Sequence, residues 1–225
     1  MIIINGVNSE IVKKILPKLV KNNIVIGIYN KNYTGMKSKK LSVFKSNKSN
    51  LKKIQNLIKN HKKITFINFA AKRDSNLIVN LKEKDFSDII NNNLTKTVNI
   101  IKALLPDMIK KKYGRVIFIS SSTAESGYPG NIGYSASKSA LKGISGTISK
   151  EYKDFNITSN IISLGYFQTK MWFSLSKSKR SQLIASTLSK KTGNFDAIYQ
   201  TIKILIKFDT INMSTIYLDG GNLYK

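Results

Sequence analysis

Val116-Ile117-Phe118-Ile119-Ser120-Ser121-Ser122 is an apolar run that ends abruptly in hydroxyls. Residues 133–153 follow with apolar side chains at helical spacing, and residues 157–162, with isoleucine at 157, 161 and 162, read as a second buried strand. Short runs of this kind on either side of a periodic stretch read as strand, helix and parallel strand. The runs do not alternate with polar residues, so both faces of each strand are covered. Working outward, strands are expected at residues 2–4, 24–28, 41–44, 64–69 and 215–218, and helices at 11–21, 50–60, 85–112 and 195–207. The repeated alternation predicts an α/β protein, a doubly wound parallel sheet of about seven strands with helices on both faces. No Gly/Ser/Pro linker divides the 225 residues, which predicts one domain over 1–225. Residues 174–191, rich in Ser and Lys, read as a mobile flap or a helix pair.

Composition narrows the function. There is no cysteine, which excludes a disulfide scaffold, a thiolate metal site and a cysteine nucleophile. His61 is the one histidine, so a Ser-His-Asp triad would have to be built around it. Without an acidic cluster beside it, His61 reads as a cation at a helix end and no metal site is expected. The formal charge is +26, from 38 Lys+Arg against 12 Asp+Glu. Such a balance raises nucleic acid, an anionic membrane or an acidic protein as partners. The bases, however, are 35 Lys and only 3 Arg, beside 33 Ile and 23 Asn. Lys, Ile and Asn share AT-rich codons, whereas a nucleic-acid surface favours the planar fork of Arg. The charge therefore reads mainly as codon usage, and nucleic acid as the weaker partner. Met1-Ile2-Ile3-Ile4-Asn5 lacks a basic leader, and no apolar run approaches the roughly 20 residues of a membrane span. A cytoplasmic protein without a membrane span is expected.

Ligands of doubly wound sheets sit beyond the carboxyl ends of the strands. The residues there are Asn5-Gly6-Val7-Asn8, Tyr29-Asn30-Lys31, Asn68-Phe69-Ala70-Ala71, Ser120-Ser121-Ser122 and Leu164-Gly165-Tyr166. The sharpest chemical signal is Tyr134-Ser135-Ala136-Ser137-Lys138. Four residues apart on a helix, Tyr134 and Lys138 share a face. An ammonium beside a phenol stabilises the phenolate, and the pair is expected to lower the Tyr134 pKa from about 10 toward neutrality. In a lysine-rich chain this spacing arises readily by chance, so its context decides its meaning. Ser121 precedes Tyr134 by 13 residues, and Asn91-Asn92-Asn93 lies ahead of the run Lys112-Tyr113-Gly114-Arg115. Leu164-Gly165-Tyr166-Phe167-Gln168-Thr169 and Leu218-Asp219-Gly220-Gly221 follow.

That ordered series resembles the short-chain dehydrogenase/reductase family, in its single-domain branch, over essentially the whole chain. The resemblance implies a Rossmann-type fold and a ketone reduced by hydride transfer from a nicotinamide cofactor. It implies Tyr134 as catalytic acid/base, with Lys138 lowering its pKa and holding the nicotinamide ribose. It further implies Ser121 polarising the substrate carbonyl and Asn93 supporting a water in the proton relay. The cofactor would be held by Gly6, Asn8, Asn30, Lys31, Asn68, Ala70, Phe167 and Thr169 together with Tyr134 and Lys138. A substrate flap would occupy about residues 166–193, where Met171, Trp172 and Phe173 would pack on an acyl or ring substrate or anchor the flap. Residues 219–225 would contribute to a homo-dimer or tetramer.

The amino-terminal half departs from the family pattern. Gly6 is kept, but Glu10 and Val12 stand where the second and third glycines of the phosphate turn belong. Lys45 replaces the usual Asp after the third strand, and Leu164 replaces a Pro. Either the cofactor is held in a modified way, with Asn8 and helix-end amides serving the phosphates, or its binding is weakened. After the second strand, Asn30-Lys31 offers a cation and no acid, which favours NADP(H) over NAD(H). The closest general resemblance is to 3-oxoacyl-acyl-carrier-protein reductases, whose acidic carrier a basic rim would attract. The alternatives are a ketoreductase acting on a sugar-linked or other small carbonyl, and a cofactor-poor family member acting as a binding protein.

Overall fold

The computed structural model describes residues 1–222. In chain order its elements are β1 (Ile2–Asn5), α1 (Glu10–Asn22), β2 (Val25–Tyr29), β3 (Leu41–Lys45), α2 (Lys48–Ile58), β4 (Thr65–Asn68) and α3 (Glu83–Ile90). A π-helical turn, Asn91–Thr95, leads into α4 (Lys96–Lys110), β5 (Gly114–Ser121), α5 (Thr123–Ser126), α6 (Ile132–Glu151) and β6 (Ile157–Leu164). The chain continues through α7 (Lys170–Phe173), α8 (Lys177–Ala185), α9 (Phe195–Lys207) and β7 (Thr215–Leu218).

The strands form one sheet in the order β3-β2-β1-β4-β5-β6-β7, with every neighbouring pair parallel. Side chains alternate between its faces, as the two-residue period of a strand requires. Ile2 and Ile4 of β1, Ile117 and Ile119 of β5, and Ile162 and Leu164 of β6 pack on one face against α1 and α9. Ile3, Val116, Phe118 and Ile161 pack on the other, against α2, α4 and α6. The Rossmann-type doubly wound arrangement is therefore the one expected from the alternation.

Strand order reverses at the β1–β4 boundary, and a crevice opens there at the carboxyl ends. The last residues of these apolar strands are asparagines. Asn5 pairs with Asn68 in register, and the Asn5 Nδ2 donates to the Asn68 Oδ1 at 2.8 Å. Gly6 begins the turn into α1 with φ +83°, a left-handed conformation that costs a side-chain-bearing residue dearly. A Cβ there would lie 2.6 Å from the Ala70 backbone nitrogen, so the turn is pressed against the chain leaving β4.

Two expectations needed correction. The helix expected over 85–112 is two helices joined by the π-helical turn, whose extra residue turns Asn93 inward, where it is buried. Residues 174–191 are not a helix pair: they hold the single helix α8 and a turn tied to the carboxyl-terminal segment. Leu188 and Ser189 donate their backbone N–H groups to Gly221 and Gly220 at 3.0 and 2.9 Å. The expected subunit-contact element includes residues 223–225, which lie outside the described residues. Among the described residues no helix is long and apolar enough to cross a membrane.

Replacing Gly6 by Ala is expected to destabilise the protein by about 1–3 kcal/mol, since the strained φ and the contact with Ala70 must both be accommodated. The midpoint of urea denaturation measures this, and an unchanged midpoint would contradict the assigned turn.

Candidate active site

The site grows from the start of α6. Asp74, in the loop after β4, accepts the backbone N–H groups of Gly133 and Tyr134 at 2.9 and 3.4 Å. A carboxylate on these otherwise unpaired amides fixes the helix start, and with it Tyr134. Tyr134 is buried, at 9% exposure, with its hydroxyl hydrogen-bonded to Ser121 at the end of β5. The Arg73 guanidinium lies 4.6 Å from the Tyr134 ring centroid and also reaches the Met171 sulfur. One helical turn further on, the Lys138 Nζ is 5.7 Å from the same centroid and donates to the Ile119 carbonyl at 2.6 Å. Lys138 is only 4% exposed. The structure brings Ser121, Tyr134 and Lys138 together at the end of β5 and the start of α6.

The electrostatics run differently from expectation. Burial holds the Tyr134 pKa above 10, and it outweighs the two influences that favour the phenolate, the Arg73 charge and the Ser121 hydrogen bond. Tyr134 is consequently a protonated phenol at neutral pH. The perturbed base is its neighbour: burial first, and the Arg73 charge second, lower Lys138 to about 8. His61 also departs from its expected role as a cation. Burial, the chain's amino terminus and Lys111 all push its pKa below 6.5, so it is neutral at pH 7.

Asn93 serves as a brace. Its Oδ1 accepts the Lys72 N–H at 2.6 Å, and its Nδ2 donates to the Lys72 carbonyl and the Ser137 hydroxyl, both at 2.9 Å. Ser137 in turn donates to the Tyr134 carbonyl at 2.8 Å. Lys72, Arg73 and Asp74 therefore bind three parts of the site in succession: Asn93, the Tyr134 ring and the helix start. Arg73 and Asp74 were missed from sequence. Their signal was composition, since an Arg beside an Asp just past a central strand is rare where Lys outnumbers Arg so heavily.

The remaining predicted residues divide. Asn68 is wholly buried, and its Nδ2 has no partner among the described residues. An orphaned buried donor at the switch crevice is suited to a ligand acceptor. Gly6 and Ala70 form the adjoining tight turn, and Ser9 does not cap α1 with its side chain, so among the described residues no side chain is bonded to the first amides of α1. Asn30 and Lys31 are exposed beyond β2. Asn8 is engaged elsewhere: its amide donates to the Asn32 carbonyl at 2.7 Å and accepts the Thr34 N–H at 3.3 Å. Phe167 is buried against Phe195, ring centroids 5.6 Å apart, which leaves its backbone for any ligand. Thr169 directly precedes α7, where Trp172 is buried against the Tyr166 ring as a flap anchor while Met171 and Phe173 are exposed. The orphaned Asn68 donor, the Gly6 turn and the buried Lys138 fit a dinucleotide laid along the carboxyl edge of the sheet.

Fold and site together define a dinucleotide-binding α/β oxidoreductase with a Ser-Tyr-Lys set. The family model for short chain dehydrogenases matches residues 4–180. The 3-oxoacyl-(acyl-carrier-protein) reductase of Buchnera aphidicola subsp. Acyrthosiphon pisum is 31% identical over 231 aligned residues, covering 97% of this chain and 95% of the relative. The enzyme of the same description from Haemophilus influenzae is 28% identical, covering 84% and 80%. Among solved structures, one provisionally assigned as a gluconate dehydrogenase of Agrobacterium tumefaciens superposes with a TM-score of 0.86 at 18% identity, covering 100% of this chain and 96% of its own. One provisionally assigned as a betaketoacyl-ACP reductase gives a TM-score of 0.80 at 17% identity, covering 100% and 98%. The chain belongs to the short-chain dehydrogenase family and is an NAD(P)-dependent oxidoreductase.

Lys138 supplies a test of the site's energetics. With a folded pKa of about 8 against 10.5 when unfolded, the buried ammonium costs stability at every pH below about 8. That cost is relieved as pH rises from about 8 to 10.5, because only the unfolded chain still binds the proton there. Lys138→Met is accordingly expected to raise stability at pH 7 by roughly 1–3 kcal/mol, after allowing for the lost bond to Ile119. A gain that shrinks above pH 8 in denaturation curves supports this reading, and a loss at pH 7 contradicts it.

Proposed function

We propose that the protein reduces the 3-keto group of an acyl thioester, presented on an acidic carrier protein, to a secondary alcohol with NADPH. The observation that carries the chemistry is the buried Tyr134, hydrogen-bonded to Ser121 and one helical turn from the Lys138 ammonium. A reduced nicotinamide, which the Gly6 turn, Asn68 and Lys138 would hold, would supply the hydride for the carbonyl carbon. The chain's own residues handle the oxygen. Ser121 donates a hydrogen bond to the carbonyl oxygen, which draws charge onto it. As charge develops there, Tyr134 delivers its phenolic proton and the C–O–H bond is complete. The Lys138 and Arg73 cations offset the negative charge left on the phenol. A phenol held above 10 is a proton donor throughout the neutral range, which suits the reductive direction.

The substrate class rests on likeness to the carrier-protein reductases, one of which aligns over nearly its whole length. Charge supports it as well. Exposed Lys72 and Lys170 flank Arg73 and Met171 at the rim, and Lys177 and Lys179 of α8 extend the basic surface. Cations so placed steer an acidic carrier toward the mouth of the site. Exposed Lys31, with no acid beside it after β2, supports NADPH through its 2′-phosphate.

Tyr134→Phe is expected to lower kcat/KM for NADPH oxidation with an acetoacetyl thioester by about 10²–10⁴-fold while the circular dichroism spectrum is unchanged. Retained activity would overturn the role of Tyr134. The pH profile follows from Lys138: below about 8 its ammonium is present, and above about 8 it is lost. Reduction should hold level across neutrality and fall as pH rises past about 8. A rate that climbs through that range would contradict the assignment.

A further inference from the structure

Glu10 opens α1 at the position where a glycine would let a phosphate approach the backbone. Its carboxylate leaves its own helix and crosses to the flap. Oε2 accepts the backbone N–H of Lys170, the first residue of α7, and Oε1 lies 3.9 Å from the Lys170 Nζ. The Lys170 side chain is 93% exposed, so this ion pair is weak and the backbone bond is the substantial contact. The contact spans the carboxyl edge of the sheet, joining segments 160 residues apart.

Independent features mark that edge as the cofactor's seat. Gly6 makes the left-handed turn pressed on Ala70, no side chain caps the first amides of α1, and the buried Asn68 Nδ2 nearby has no partner among the described residues. Dinucleotide folds seat the pyrophosphate on the first helix N-terminus. A carboxylate there has the charge sign of a phosphate and accepts backbone amide hydrogens as a phosphate oxygen does.

From this placement we infer that Glu10 is a built-in competitor for the cofactor pyrophosphate, which must be displaced, releasing the flap at Lys170, before the dinucleotide is seated. The inference rests on the cofactor reading proposed above. Two effects follow from one movement. Cofactor affinity is lower than a glycine turn would give, because a carboxylate has to leave its partner and clear the path of a like charge. Arrival of the cofactor is also coupled to motion of the flap carrying Met171 and Phe173, the segment beside Arg73 and Tyr134.

The experiment titrates the full chain with NADPH by nucleotide fluorescence, for wild type, Glu10→Gly and Glu10→Gln. The Gly variant is expected to bind about tenfold more tightly or better, a change of about 1.4 kcal/mol. The Gln variant should gain less, since its amide oxygen still accepts the Lys170 N–H but carries no charge. It also preserves helix propensity, which covers the possibility that the Gly variant folds poorly. Adenosine, which has no phosphate, should bind all three alike. Amide hydrogen exchange provides the second readout. Lys170 should exchange faster in Glu10→Gly than in wild type, and faster in wild type once NADPH is bound. If wild type binds NADPH and neither variant binds more tightly, the inference fails while the cofactor reading stands. If none of the three binds NADPH at millimolar concentration, both fall together.

Discussion

Burying the Lys138 ammonium at the end of the sheet sets the terms for everything around it. A charge so little exposed is costly unless it is hydrogen-bonded, and the lowered pKa of about 8 records the residual cost. One hydrogen bond, to the Ile119 carbonyl, secures it at the terminus of β5. The remaining groups must then be fixed by other means, because no carboxylate among the described residues pairs with Lys138. Asp74 anchors the helix that carries it, Asn93 anchors the loop that carries Asp74, and the π-helical turn aims Asn93 inward. The buried polar groups of the region are concentrated at the carboxyl end of the sheet, while the layers beneath are filled largely with Ile, Val and Leu.

The two halves of the crevice are built on opposite principles. On the β5–α6 side the polar groups are buried, mutually bonded and cationic, which prepares them for a developing negative charge. On the β1–α1 side a carboxylate stands at a helix start, among amides that would suit an anion. Asp74 accepts the first amides of α6, whereas Glu10 turns away from the amides of its own helix to accept the Lys170 N–H at the start of α7. In the first case the carboxylate is structural and stays. In the second it is bonded to the Lys170 N–H and ties the start of α7 to the start of α1.

Much of this was legible in sequence, for definite reasons. The central strands β1 and β5 were readable because parallel strands covered on both faces run apolar without interruption, as in Ile2-Ile3-Ile4 and Val116-Ile117-Phe118-Ile119, whereas β6 carries buried Thr158, Ser159 and Asn160 among its isoleucines. Tyr134 and Lys138 were readable as a pair from their four-residue spacing on one helix face, and Ser121 through the family resemblance. What escaped depends on tertiary contact. Periodicity cannot reveal that Asp74 caps a helix 59 residues away, nor that Arg73 lies on the Tyr134 ring. The Tyr134 pKa was misjudged for a related reason: the sequence displays the neighbouring cation but not the depth of burial that outweighs it. The side chains of Asn8 and Phe167, expected at the cofactor, serve loop 32–34 and the core instead.

The central claim is that a buried, electrostatically stressed Lys138 organises the site. The most direct measurement is a pH titration of the lysine side-chain resonances by NMR in protein carrying carbon-13 at the ε position. The account predicts one lysine resonance with a midpoint near 8, absent from the Lys138→Met spectrum. A Lys138 resonance that titrates with the others would contradict it.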